Sequence, residues 1–175
     1  MSSNKNDTQI IRVQAILGAE PLMCNINVQK RIQAMGGGAV FGWKVRHDVY
    51  NDCWESHCVW QSPEGELEDV TPVFAGVEGD YAVIEWPDET EFARDDAAAF
   101  TERGLPNRYV PTRPGTEMAK GCEFMTIADR YLWHEDLERC RYWTGRANRA
   151  TEKIGVRWFT PDTADIADVL RASLA

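Results

Sequence analysis

The stretch His57–Pro72 reads HCVWQSPEGELEDVTP. Its first half is rich in β-branched and aromatic residues, and Ser62-Pro63-Glu64-Gly65 carries Pro and Gly at positions that suit a tight turn. The sequence therefore predicts a hairpin: a strand over Tyr50–Gln61, the turn, and a strand over Glu66–Thr71 closed by Pro72. Centring the pairing on that turn sets His57 roughly opposite Val70, with Asp69 and Thr71 adjacent. An aspartate on a neighbouring strand can reach an imidazole, fix its tautomer and stabilise the imidazolium. Strand alternation makes that facing sensitive to a one-residue bulge.

Working outward, Leu22, Ile26, Ile32 and Met35 recur at helical spacing, which predicts an amphipathic helix over Leu22–Met35 stopped by Gly36-Gly37-Gly38. Ala39–Val45 reads as a strand, and Tyr81–Trp86 as another. Periodicity leaves Ile10–Leu17 open between strand and helix. Glu89–Arg103 is expected as a helix closed by Gly104, Leu105–Pro114 as an extended connection, and Thr116–Trp143 as helical with a break near Gly121. Pro161-Asp162 opens a last expected helix to Leu174. A helix, then strands, then helices indicates α+β, with an N-terminal helix packed on a small antiparallel sheet. A single domain is expected over 1–175, with the cysteine helix and sheet in 1–88. A mainly helical extension follows in 89–175, with helices over 89–103, 116–143 and 162–174.

Cys24 falls at the start of the first helix, just after Gly18-Ala19-Glu20-Pro21. The positive end of a helix stabilises a thiolate and lowers its pKa, and the free N–H groups there can hold an oxyanion. Cys24, His57 and Asp69 thus form a candidate nucleophile–base–orienter set in chain order. Asn25 and Asn27 are candidate oxyanion donors, or helix caps. Glu55, two residues before His57, is a candidate second acid behind the site. Taken singly, each of these residues has a plainer reading: a small buried thiol, a hydrogen-bonded strand histidine, a solvated carboxylate.

The ordered set resembles the layout of papain-like and transglutaminase-like thiol enzymes. His57–Pro72 looks like the transglutaminase-core motif, with His57, Trp60, Asp69 and Pro72 as counterparts. Cys24, Asn25, Gly36, Gly37, Gly42, Trp43 and the same stretch also resemble a group of bacterial and phage proteins of uncharacterised activity. The likeness covers residues of about 20 to 75. It implies a papain-like or transglutaminase-like core and a cysteine hydrolase or acyltransferase: a protease, amidase or deamidase acting on an amide, thioester or isopeptide carbonyl. Transglutaminases usually place a Trp beside the nucleophile, whereas here the neighbours are Met23 and Asn25, which favours hydrolysis or deamidation over transfer to amines.

Composition bounds the alternatives. The chain has 175 residues, seven Trp and a net charge of -9. That acidity argues against nucleic-acid binding, although four arginines lie between Arg139 and Arg149. No apolar run is long enough to span a bilayer, and the first residues carry no apolar leader pattern, so a cytoplasmic protein without a membrane partner is expected. Five irregularly spaced cysteines do not read as a disulfide framework. Cys53, His57 and Cys58, with Cys24 and His47, are the competing zinc reading. The spacing of Cys53 and Cys58 matches no zinc knuckle, so no metal and no cofactor are expected. Gly36–Gly38 lacks the Lys-Ser/Thr of a phosphate loop. His134, Cys122, Cys140 and the Trp133–Trp143–Trp158 set read as core or filler. The substrate expected is a protein or peptide-like molecule. The opposing class is a non-catalytic interaction or inhibitor module on the same fold.

Overall fold

The structure is a computed structural model that describes residues 8–78, 81–95, 106–112, 115–134 and 136–158. It divides into two compact units: one holds 1–43, 57–99 and 161–175, the other 44–56 and 100–160. The strands β2 (Gly38–His47) and β3 (Asn51–Gln61) run from one unit into the other.

In the first unit the undecided segment is a strand, β1 (Thr8–Val13). It pairs parallel with β4 (Leu67–Asp69) and antiparallel with β7 (Glu89–Arg94). The strand order is β2-β7-β1-β4-β3, and β2 also pairs with β3, so the sheet is partly closed as a small barrel. The expected α+β class holds in this coarse form, but the sheet is mixed rather than antiparallel, because β1 and β4 run the same way. A separate hairpin joins β5 (Val73–Glu78) to β6 (Tyr81–Glu85).

Helix α1 (Cys24–Met35) lies on one face of this sheet. Val28 from the helix packs with Cys58, Trp60 and Val70, and Cys24 and Ile32 join them. Val28 and Val70 are wholly buried, and removing each from water contributes about 2 kcal/mol. Val59 points the other way, into a cluster with Ile11, Val40 and Phe92, as strand alternation requires. Gly36 and Gly37 both take positive φ and end the helix. A Cβ on Gly37 would run into the carbonyl of Gln61, so only glycine lets the helix end approach β3. Trp60 Nε1 donates to Gly36 O at 2.9 Å and fixes that approach.

One helical expectation is overturned. Residues 89–94 form β7 instead of starting a helix, because Thr8–Arg12 of β1 pairs with Glu89–Ala93 along its length. Residues 96–105, where that expected helix would continue, lie outside the described residues, as does the expected helix 162–174.

In the second unit, β8 (Arg108–Pro111) pairs with Asn51–Trp54 of β3. The helical stretch is broken between Trp133 and Leu137, not at Gly121, giving α2 (Thr116–Trp133) and α3 (Leu137–Thr151). Asp136 caps α3 by accepting the N–H of Arg139 at 3.1 Å. Gly121 sits inside α2, where any Cβ would crowd Thr151 and Trp158. Cys140, Met125, Ala128 and Ala147 form the core between these two helices. Among the described residues, no helix is long and apolar enough to cross a membrane.

Candidate active site

The hairpin turn holds one residue more than the sequence suggests. Ser62 N–H donates to Glu66 O at 2.8 Å, and Gly65 adopts φ +97°, a three-residue loop closed by a left-handed glycine. The register is Trp60↔Glu68 and Gln61↔Leu67. Continued along the strands, it sets His57 level with Thr71 rather than Val70. This one-residue shift puts Asp69 on the same face as His57, where the expected register would have turned it away.

The aspartate is wholly buried and the histidine nearly so, at 0% and 7% exposed. His57 Nε2 lies 2.9 Å from Asp69 Oδ1. The carboxylate acts on the ring as a close opposite charge. With Nε2 turned to the carboxylate, Nδ1 is the nitrogen left for a second partner. That partner is the Cys24 thiol, which hydrogen-bonds the His57 side chain.

Cys24 is the first helical residue, half-buried, following Met23 at the cap. Burial pushes its pKa up, but the His57 hydrogen bond and charge, with the backbone N–H groups of Cys58 and Asn25, outweigh burial and hold the thiol below its ordinary value. For His57 burial pulls down, and the Asp69 carboxylate and the Cys24 thiolate together lift it to about 10. Both shifts favour one state, a thiolate facing an imidazolium.

The other four cysteines behave oppositely. Burial raises Cys53 and Cys122 each to about 11, and raises Cys58 and Cys140 as well. Cys58 packs in the core beside α1 while its backbone N–H serves Cys24.

The remaining sequence candidates have separate fates. Asn25 stands beside the nucleophile; its backbone N–H reaches the thiol, and its Oδ1 is buried without a hydrogen-bond partner. Asn27 is wholly buried and its amide is committed: Oδ1 accepts Glu20 N–H at 3.0 Å, and Nδ2 donates to Glu20 O at 2.7 Å and Thr71 Oγ1 at 3.3 Å. It is a brace rather than an oxyanion donor. Glu55 is ion-paired with Arg46 in the second unit. His47, a candidate metal ligand by its sequence position, pairs with Asp52 at 2.7 Å. Among the described residues, no group of three or more His, Cys, Asp or Glu is placed to hold a metal ion.

Two contributors are not evident from the sequence. Thr71 N–H donates to Asp69 Oδ1 at 3.0 Å, fixing the oxygen that faces His57. The Thr-Pro pair is the available signal, since a residue before proline is held extended. The Cys58 N–H has no sequence signal beyond adjacency to His57. Comparison of the chain with protein-family models, with curated proteins and with solved structures gives no match.

Proposed function

We propose that this chain is a thiol hydrolase that uses Cys24, His57 and Asp69 on an amide, thioester or isopeptide carbonyl of a protein or peptide-like substrate. The observation that carries the reading is selective activation: of five cysteines, Cys24 alone has its pKa lowered, and the residue responsible is a histidine backed by a buried carboxylate. The resemblance of His57–Pro72 to the transglutaminase-core motif supports the same reading, as does the placement of the thiol on a helix start against strand-borne His and Asp.

In the reaction, the Cys24 thiolate attacks the carbonyl carbon and forms a C–S bond. The carbonyl oxygen becomes an oxyanion, for which the backbone N–H groups of Cys58 and Asn25, both already at the sulfur, are the donors on hand. Collapse of this intermediate expels the amine or thiol, which takes its proton from the His57 imidazolium, leaving a thioester on Cys24. Water then attacks the thioester with neutral His57 accepting its proton. Release of the acid regenerates the thiolate–imidazolium pair. Asp69 orients His57 and stabilises its charged form.

The test is alkylation with iodoacetamide at neutral pH, mapped by mass spectrometry. Cys24 is expected to label faster than the other four, and a panel of activated amides and esters is expected to leave an acyl adduct on Cys24. Cys24→Ala abolishes both. Faster labelling of Cys53 or Cys58 than of Cys24 overturns the mechanism.

A further inference from the structure

Three fully or nearly fully buried polar side chains, Asn27, Asp69 and Thr71, are joined in one network, of which the reaction steps above use only Asp69. Thr71 is its node. The backbone N–H of Thr71 holds Asp69 Oδ1 at 3.0 Å, the same oxygen that lies 2.9 Å from His57 Nε2. The hydroxyl of Thr71 accepts from Asn27 Nδ2 at 3.3 Å. Asn27 sits three residues after Cys24, almost one turn along α1, and its amide also grips both backbone groups of Glu20 in the segment leading into the nucleophile. The connections close a ring: Cys24 to His57, His57 to Asp69, Asp69 to Thr71, Thr71 to Asn27, and Asn27 back along the helix to Cys24.

Resting on the thiol-hydrolase reading, we infer that Asn27 and Thr71 are positioning residues that set the start of α1 against the Asp69 turn and thereby hold the Cys24 thiol in register with His57. The apolar contacts of Val28 and Ile32 are non-directional, and the other directional ties of α1 to the sheet, Arg31 to Glu68 and Gly36 O to Trp60 Nε1, lie toward the far end of the helix rather than at its start. A hydrogen bond between two wholly or nearly wholly buried groups has one good geometry, and leaving either partner unpaired carries a desolvation penalty. Such a bond fixes the axial and rotational setting of the helix where packing alone does not. The contrast with a purely structural polar cluster is that one end of this bridge is a single hydrogen bond from Asp69 and the other lies three residues along the helix from Cys24.

The experiment uses Thr71→Val, which keeps the shape and removes the hydroxyl, with Thr71→Ser as the conservative rescue. The readout is the pH midpoint of Cys24 alkylation in the full chain, alongside the melting temperature. In Thr71→Val the midpoint is expected to move up by about one pH unit, the size of an ordinary environmental shift. Thr71→Ser is expected to restore it. A structural role alone lowers the melting temperature and leaves the midpoint in place, and that result overturns the inference. If Thr71→Val fails to fold, Thr71→Ala takes its place: a raised midpoint supports the positioning role, and an unmoved one overturns it. The hydrolase reading fails differently, through loss of selective Cys24 labelling in the unaltered protein, and that outcome removes the inference with it.

Discussion

Each unit contains a thiol hydrogen-bonded to a basic side chain that is itself paired with a carboxylate. In the first the set is Cys24, His57 and Asp69; in the second it is Cys53, Arg46 and Glu55. The two sets look alike as lists and have opposite consequences. Cys24 is pulled below the ordinary thiol value, whereas burial, with help from Glu55 and Asp129, drives Cys53 up to about 11 despite Arg46. Two physical differences separate them. Cys24 receives backbone N–H groups from Cys58 and Asn25 in addition to its base. Its carboxylate, Asp69, lies behind the histidine, while Glu55 and Asp129 act on Cys53 directly as like charges. The bases also differ in kind. Arg46 stays charged at every working pH and cannot take up or return a proton, so its set has no proton shuttle.

The largest way to break this contrast is to take the shuttle from the first set. In His57→Gln the opposing influences on Cys24 lose their principal member, and burial is left to dominate, as it does at Cys53. Cys24 alkylation at neutral pH is expected to fall on the order of a hundredfold, since each unit of rise costs a factor of ten in thiolate. A variant that still labels at the original rate assigns the activation to the backbone N–H groups instead.

A second effect concerns stability. His57 has a folded-state value near 10, above its ordinary 6.5. The folded chain therefore binds this proton more tightly than the unfolded chain does, and the stabilisation is fully present below pH 6.5 and lost as the pH rises through about 10. Cys24 works the other way, its lowered value adding stability above the ordinary thiol range, so Cys24→Ala is the cleaner background. There the melting temperature is expected to fall between pH 7 and pH 10, and to fall less when His57→Gln is added. Equal slopes in the two backgrounds contradict a histidine held charged by Asp69.

The site is legible in the sequence where local chemistry determines it, and illegible where distant pairing does. His57–Pro72 announces a hairpin through its turn residues, and Cys24 announces a helix start through the break before it. The register reads one residue short in the sequence because Gly65, in the left-handed region, lengthens the loop. Glu89–Arg94 looks helical in isolation, with its acids and the alanines that follow. Its strand form comes from β1, some eighty residues away, which no local window contains. Alternation alone places Glu55 behind His57, but a nearby arginine claims it. Asn27 has the chemistry of a donor, and its bracing role becomes visible only with Glu20 and Thr71 in place.

The smallest effect sharpens the comparison from the other side. In Glu55→Gln, Cys53 loses the like charge that, after burial, does most to raise its pKa, while Arg46 loses its competing partner and is left to the thiol. The pKa of Cys53 is then expected to come down from about 11. Its alkylation at pH 9 should rise a few-fold, in line with tenfold in thiolate for each unit. Burial is untouched, and so is the absence of a proton-accepting base, so Cys53 should remain slower than Cys24 at every pH. Peptide mapping of both sites in one labelling reaction measures this directly. If Cys53 overtakes Cys24, a cation near a thiol is sufficient, and the histidine and its buried aspartate are not what distinguish the two sets. If only the Cys53 rate moves, and by a modest factor, the difference lies in the base that can exchange a proton and in the N–H groups that meet the sulfur.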